Sequence, residues 1–308
     1  IDYSNSKTRA KLTSVILNSF DPKITAIGND FLYYCSNITT LTLPKIWNIT
    51  SIGNNFLHTA WGLTNLDLSM LSSIDTIGDY FLYSNRNLIS VDLSSLKNVT
   101  SVGGYFMQMC DGITEINLSC LSNLESFGVM FLQNCKKLET LTLPSSWKVS
   151  IINRSFLDSC YALKAVTLPT STNDITRIDE KFLYGCKALT SIELPSSWKI
   201  TTIDGCFIRD CVSLTSITLP DTWNIETIGA SFLYGCTNIK EVVFPDSWNN
   251  VTSIDQAFLF NCQLLERVDM NNIKDTSLIE GITSFSVESK DAPAFKNGVL
   301  IEGSYKDK

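Results

Sequence analysis

A repeat of 25 or 26 residues runs through most of this 308-residue chain and constrains its fold more than any other feature. A unit of this length cannot bury its apolar residues alone, so consecutive units must stack and share one core. The sequence therefore predicts a solenoid of about ten turns. The repeat is marked by ten phenylalanines: Phe31, Phe56, Phe81, Phe106, Phe131, Phe156, Phe182, Phe207, Phe232 and Phe258.

Each repeat also contains a short stretch in which apolar and polar residues alternate, as in Ile38, Leu41 and Leu43. Alternation among Thr, Val, Ile and Leu predicts a short strand with one buried face. Stacked repeats would pair these strands in parallel, with one strand from each turn. Six of the strands end at a proline, which cannot donate to a continuing ladder: Pro44, Pro144, Pro169, Pro195, Pro220 and Pro245.

Two further columns carry local conformational predictions. The position three residues before each Phe holds only Gly, Asn or Asp, as at Gly78 and Asp204. These residues tolerate a positive φ or a tight turn, so we predict such a backbone there. The segment after each Phe has apolar residues three to four apart, which predicts a short helical or 3₁₀ turn.

Eight of the ten cysteines stand four residues after a repeat Phe, and Ala60 and Asn85 replace cysteine in the other two repeats. One repeat position points into one core layer, so we expect a column of buried, reduced thiols that act as small apolar groups. Cys120 and Cys206 lie outside the column and are the candidates for exposed thiols.

The pattern Ile-Gly-x-x-Phe-x-x-x-Cys-x-x-Leu-x-x-Leu-x-Leu-Pro resembles the BspA-like leucine-rich repeats of bacterial and protist cell-surface proteins. Residues 228–245 fit every anchor, and the match spans about residues 12 to 270. The resemblance implies a right-handed leucine-rich-repeat solenoid of the α/β class, with one short parallel strand per turn and short outer helical or 3₁₀ segments. It also implies adhesion and protein binding, with no catalytic residues.

The domain organisation follows from the extent of the repeats. We predict one solenoid over residues 1–278, made of a half repeat and ten repeats behind a polar N-terminal end at 1–11. Residues 279–308 would form a C-terminal cap or the start of a further β module. The chain begins without a recognisable signal, so a cell-surface or secreted location is an expectation from the resemblance.

Charge and composition exclude several classes of function. Lys and Arg number 24 against 31 Asp and Glu, for a formal charge of −7, which disfavours nucleic-acid partners. His58 is the single histidine, and its column is so variable that we place it on an exposed back surface. The sequence therefore predicts a non-enzyme with no metal site and no cofactor. No apolar run reaches the roughly 18 residues of a membrane span.

The candidate ligand site lies between the buried positions of the strands, on the face expected along the inner curve of the solenoid. Acidic residues concentrate there in Asp67, Asp92 and Glu115, with Asn117 beside them. Three interpretations remain open. The face could be simply solvated, could dock a basic segment of a protein partner, or could hold Ca²⁺ loosely through its oxygen atoms.

A second candidate site is a row of tryptophans that follow the strand-ending prolines by three residues. Trp198, Trp223 and Trp248 are 25 residues apart and should stack, and Trp47 and Trp147 occupy the same position in earlier repeats. Aromatic residues of the core are one interpretation, and an exposed row that binds a protein or a sugar is the other. The sequence thus predicts a non-catalytic scaffold, an adhesin for host or extracellular protein, or alternatively a glycan-binding surface protein using exposed Trp and Tyr rows.

Overall fold

The structure is a computed structural model in which the chain divides into two compact units, Ile1–Val149 (unit 1) and Ser150–Lys308 (unit 2). It describes residues 9, 11–19, 21–45, 48–171, 175–255, 257–270, 294–296 and 299–301. Each unit is a parallel β-solenoid, and each full turn carries one strand of three residues and one of two residues. We call these the long and the short strands.

In unit 1 the long strands pair in parallel with an in-register neighbour 25 or 26 residues away. The short strands form a five-stranded parallel sheet in chain order. The long strands are Ser14–Ile16, Thr40–Thr42, Asn65–Asp67, Ser90–Asp92, Glu115–Asn117 and Thr140–Thr142. The short strands are Ala26–Ile27, Ser51–Ile52, Thr76–Ile77, Ser101–Val102 and Ser126–Phe127.

Unit 2 repeats this arrangement, with a second five-stranded parallel sheet of short strands. Its one described 3₁₀ helix is Asp246–Asn250, and its last two strands, Ala294–Lys296 and Val299–Ile301, pair antiparallel. The long strands are Ala165–Thr167, Ser191–Glu193, Ser216–Thr218, Glu241–Val243 and Arg267–Asp269. The short strands are Ile151–Ile152, Arg177–Ile178, Thr202–Ile203, Thr227–Ile228 and Ser253–Ile254.

The predicted strand positions are therefore confirmed, and the short strands are an addition that the sequence did not reveal. The predicted single solenoid over residues 1–278 stays a prediction. Most of the predicted N-terminal end at 1–11 and most of the predicted cap at 279–308 lie outside the described residues.

The core of each unit is built from the repeat columns. The repeat phenylalanines stack turn on turn, with ring centroids 5.0 to 5.4 Å apart in unit 1. The corresponding distances in unit 2 are 5.2 to 5.9 Å. These near-parallel rings bury large apolar area at every step, and that burial stabilises the stack.

The segment around each Phe is neither α-helical nor 3₁₀, so that prediction is wrong. Residues before, one after and three after the Phe have φ near +60°, as at Asn55, Leu57 and Thr59. The N–H groups of these three residues point alternately to the following and to the preceding turn of the solenoid. Leu57 donates to Phe31 O at 2.8 Å, whereas Asn55 and Thr59 donate to the following turn at 2.8 Å each. Hydrogen bonds to both neighbours offset the cost of about 1 kcal/mol or more per left-handed residue.

The glycine column has a different cause from the one predicted. Gly78 and Gly103 do not have a positive φ. A Cβ at Gly103 would lie 2.5 Å from the carbonyl carbon of Gly78, and one at Gly78 would lie 2.7 Å from that of Gly53. Close approach of neighbouring turns, rather than backbone handedness, therefore requires glycine at these positions.

The cysteine column is confirmed as buried, with all eight thiols free. Most of these thiols donate to a backbone carbonyl of the preceding turn, as Cys211 Sγ does to Leu183 O at 3.1 Å. In unit 1 Asn85 takes over this role, since its Nδ2 donates to Leu57 O at 2.9 Å and to Leu82 O at 2.7 Å. The column therefore satisfies carbonyls that the unusual turn leaves open inside the core.

Candidate functional site

The candidate site is the exposed face of the long strands in unit 1, which we call the strand face. Its long strands bury or half-bury the middle residue and expose the first and third. Asp67 pairs in register with Asp92, and Asn65 with Ser90. The structure thus places the two carboxylates side by side on adjacent strands, as the sequence predicted.

Glu115 and Asn117 lie on the next long strand along the chain, and both are exposed. Asn117 is the third residue of its strand and continues the row of Asp67 and Asp92. Glu115 is the first residue and continues the row of Asn65 and Ser90. First and third residues of a strand lie about 7 Å apart, so Glu115 is on the same face but one step away from the carboxylate row.

Asp67, Asp92 and Asn117 share a local hydrogen bond that the sequence analysis missed. In each, Oδ1 accepts the backbone N–H of the serine two residues later, at 2.9 to 3.0 Å. This is an Asx turn, and it ends the strand. Hydrogen bonds from the Ser69 hydroxyl and backbone hold the pKa of Asp67 below its usual range.

The strand face does not group metal ligands. Among the described residues, no three His, Cys, Asp or Glu side chains come together in a way that could hold a metal ion. Calcium takes six to eight oxygen ligands, and the calcium alternative stays a prediction. What the face presents is a polar row of carboxylate, amide and hydroxyl groups.

The tryptophan row of unit 2 is not a surface. Trp198, Trp223 and Trp248 are each 0% exposed, and their rings stack at 6.3 and 6.4 Å. Each indole donates through Nε1 to a proline carbonyl of the preceding turn, at 2.9 to 3.2 Å. The interpretation as core aromatics is confirmed for these three. The alternative of an exposed, ligand-binding row is wrong, because all three rings are fully enclosed. The carbonyl acceptor of each indole N–H allows the ring to be buried without an unpaired polar group.

Trp147 is also buried, at 3% exposed, and Trp47 lies outside the described residues. The glycan alternative therefore loses the described indoles of the Trp and Tyr rows on which it depended, and its tyrosine rows stay a prediction.

His58 is not on an exposed back surface, so that prediction is also wrong. The side chain is 7% exposed, and its ring lies 4.5 Å from that of Tyr83 and 5.1 Å from that of Tyr34. Thr59 Oγ1 lies 2.8 Å from Nδ1. Burial lowers the pKa of His58 to about 4, so the ring is neutral at pH 7. It packs between the two tyrosine rings as a further aromatic group.

Trp61 is the residue that the sequence analysis missed. It stands directly after the cysteine column and is 42% exposed, with the Arg86 guanidinium 6.0 Å from its ring centroid. A signal was available, because this column is mostly polar or charged, as at Ser36, Arg86 and Lys136. An indole at a position that elsewhere holds polar side chains stands out as an exposed apolar group.

The buried thiols offer no chemistry. Burial raises the pKa of Cys135, Cys211 and Cys262 to about 12. The thiolate is the reactive form, so these groups are inert at pH 7. Cys120 and Cys206, the two cysteines outside the column, are half-buried.

A stack of 25- or 26-residue turns, each with a short parallel strand, a repeat phenylalanine and leucine or isoleucine at the core positions, is typical of leucine-rich-repeat solenoids. The BspA type leucine-rich repeat region matches residues 4–139, 96–177 and 149–280. The chain belongs to this family.

Solved structures with similar architecture include two bacterial proteins. A leucine-rich repeat protein from Bacteroides ovatus is 13% identical, with 80% of this chain and 81% of that one covered, at a TM-score of 0.38. A leucine rich cell surface protein from Faecalibacterium prausnitzii is 16% identical, with 89% and 76% covered, at 0.48. At these values the likeness carries no argument about function. No curated protein matches the chain.

Among the described residues, no helix combines the length and the hydropathy that a membrane crossing needs.

Proposed function

We propose that the protein is a non-catalytic scaffold of the cell surface or of the secreted fraction, which binds an extracellular or host protein through the strand face of unit 1. Family membership supports a binding role, because extended repeat surfaces serve this purpose. The strand face supports its placement. Its exposed side chains are small and polar, so a partner could lie close against the strands.

One observation carries the proposal. Asn117 makes the same Asx turn as Asp67 and Asp92, without a charge. The turn therefore needs an oxygen acceptor but no carboxylate. Two like charges directly opposite on adjacent strands destabilise the sheet by a few tenths of a kcal/mol. Carboxylates that the fold does not need, at a position where they repel each other, favour a role in docking a basic segment.

The test compares two pairs of variants in solid-phase binding to purified extracellular-matrix and serum proteins. We expect Asp67→Asn with Asp92→Asn to weaken binding about tenfold and to flatten its dependence on salt, since rim charges act through screened electrostatics. The control is Glu193→Gln with Glu241→Gln, which removes two exposed charges from long strands of unit 2. Equal binding by wild type and the unit 1 pair would place the docking surface elsewhere.

A further inference from the structure

The surface beside the start of the unit 1 strands carries an exposed apolar cluster, which we call the anchor patch. It consists of Trp61, Arg86 and Ile89. Trp61 is 42% exposed and Ile89 57% exposed. The other four described tryptophans are at most 3% exposed. An exposed tryptophan and an exposed isoleucine on neighbouring turns, where the other described indoles are enclosed, indicate an interaction site.

The patch is continuous with the strand face. Ile89 N–H donates to Thr64 O at 2.7 Å, and Asn87 Nδ2 donates to Trp61 O at 2.9 Å. These bonds tie the patch to the residues that open the strands Asn65–Asp67 and Ser90–Asp92. Three residues of extended chain separate Ile89 from Asp92, which is about 10 Å. A bound segment of roughly four extended residues would therefore reach from the patch to the carboxylates.

Arg86, on the neighbouring turn, lies against the Trp61 ring. The Arg86 guanidinium lies 6.0 Å from the Trp61 ring centroid, within the range of a cation–π contact. A ring fixed in this way loses little conformational freedom on binding. Tryptophan and arginine are also the residues most enriched at the energetic centres of protein interfaces.

We propose that the anchor patch and the carboxylate row form one recognition site for a protein segment that carries an aliphatic or aromatic residue and, about three residues away, lysine or arginine. This inference rests on the proposed function and names the partner's chemistry. The apolar residue contacts Trp61 and Ile89, and the basic residues lie opposite Asp67 and Asp92. Charge complementarity favours this occupant over a second copy of the chain, whose formal charge is −7.

The experiment selects binders from a phage-displayed library of random 12-residue peptides on the full wild-type chain. We expect a consensus with one apolar and at least one basic residue at the stated spacing. The selected peptides are then measured against Trp61→Ala, for which we expect at least tenfold weaker binding with unchanged circular dichroism. Tyr161→Ala is the matched control. It occupies the same repeat column in unit 2, is 38% exposed and has Lys187 Nζ 4.9 Å from its ring centroid.

The outcomes separate the two proposals. If the peptides lose affinity with Asp67→Asn and Asp92→Asn but not with Trp61→Ala, the anchor patch is wrong and the proposed function stands. If the peptides are indifferent to both, or no peptide is selected, both are overturned. Binders that lack basic residues, or that weaken equally with Tyr161→Ala, overturn the anchor patch.

Discussion

In unit 1 the turns with strands at Asn65–Asp67, Ser90–Asp92 and Glu115–Asn117 end in a serine, whereas the unit 2 turns with strands at Ser191–Glu193, Ser216–Thr218 and Glu241–Val243 end in a proline. Serine has a backbone N–H that needs an acceptor, and an Asp or Asn at the end of the strand supplies it. Proline has no N–H, so the same position is free to be Glu, Thr or Val.

The interior of the two kinds of turn differs as well. After the serine, a leucine such as Leu96 fills the core, and after the proline a tryptophan such as Trp223 does so, and both are 0% exposed. The indole also donates to the proline carbonyl of the preceding turn. One repeat thus has two ways to end a strand. The serine form places acids on the surface, and the proline form places indoles in the core.

The largest expected effect tests the proline form of the turn, in which a tryptophan fills the core. Trp223→Ala removes a buried ring that stacks between Trp198 and Trp248, and we expect a loss of about 3–5 kcal/mol in the free energy of unfolding. Trp223→Phe should lose less, because it keeps an aromatic ring but not the bond to Pro195 O. Leu96→Ala in unit 1 should lose about 2–5 kcal/mol. Urea unfolding measures all three, and a loss below about 1 kcal/mol for Trp223→Ala would contradict the core assignment.

The next effect compares asparagine with cysteine at the position of the cysteine column. Asn85 is 1% exposed, donates to Leu57 O and accepts the Ala60 N–H at 2.8 Å, so Asn85→Ala should cost about 1–3 kcal/mol by removing the partner of both groups. Asn85→Cys should cost less, because the next two cysteines of the column make the equivalent bond, Cys110 to Leu82 O and Cys135 to Met107 O, at 3.2 Å each. Equal unfolding midpoints for the two variants would argue against a hydrogen-bonding role for the column.

A smaller effect depends on pH. The pKa of His58 is lowered to about 4 in the folded protein, below its unfolded value near 6.5. The unfolded chain therefore takes up a proton first, and stability should fall as pH drops from about 6.5 toward 4. After allowance for solvent screening, we expect wild type to lose about 1 kcal/mol more than His58→Gln between pH 7 and 5. The Gln variant is suitable because Gln108 and Gln133 occupy the same column, and parallel pH profiles would contradict the prediction.

The smallest expected effect separates the Asx turn from the charge. Asp67→Asn with Asp92→Asn should leave the free energy of unfolding within about 0.5 kcal/mol of wild type, since Asn117 already makes this turn. Asp67→Ala should cost about 0.5–1.5 kcal/mol, because the Ser69 N–H loses its acceptor. Thr218→Ala is the matched change in unit 2 and should be neutral, since Pro220 has no N–H. A destabilised asparagine pair would show that the carboxylates serve the fold.

Much of the fold could be predicted from the repeat alone. The exposed pairs read from the sequence, such as Asp67 opposite Asp92, are the first and third residues of the observed strands. The acidic half of the candidate site was predictable for the same reason, because alternation assigns each strand residue to a face. Trp61 was predictable in principle, because the other residues of its column are mostly polar or charged.

What the sequence by itself determined is therefore the period, the strand positions and the membership of the core columns. The tertiary structure alone decided the left-handed conformation of Leu57 and its equivalents, the burial of His58 and the enclosure of the indoles. Each of these depends on a partner in a neighbouring turn: Phe31 O for Leu57, the Tyr83 ring for His58 and Pro195 O for Trp223. A residue's own preference is for the right-handed region or for a polar surface, and only contacts 25 or more residues away override it.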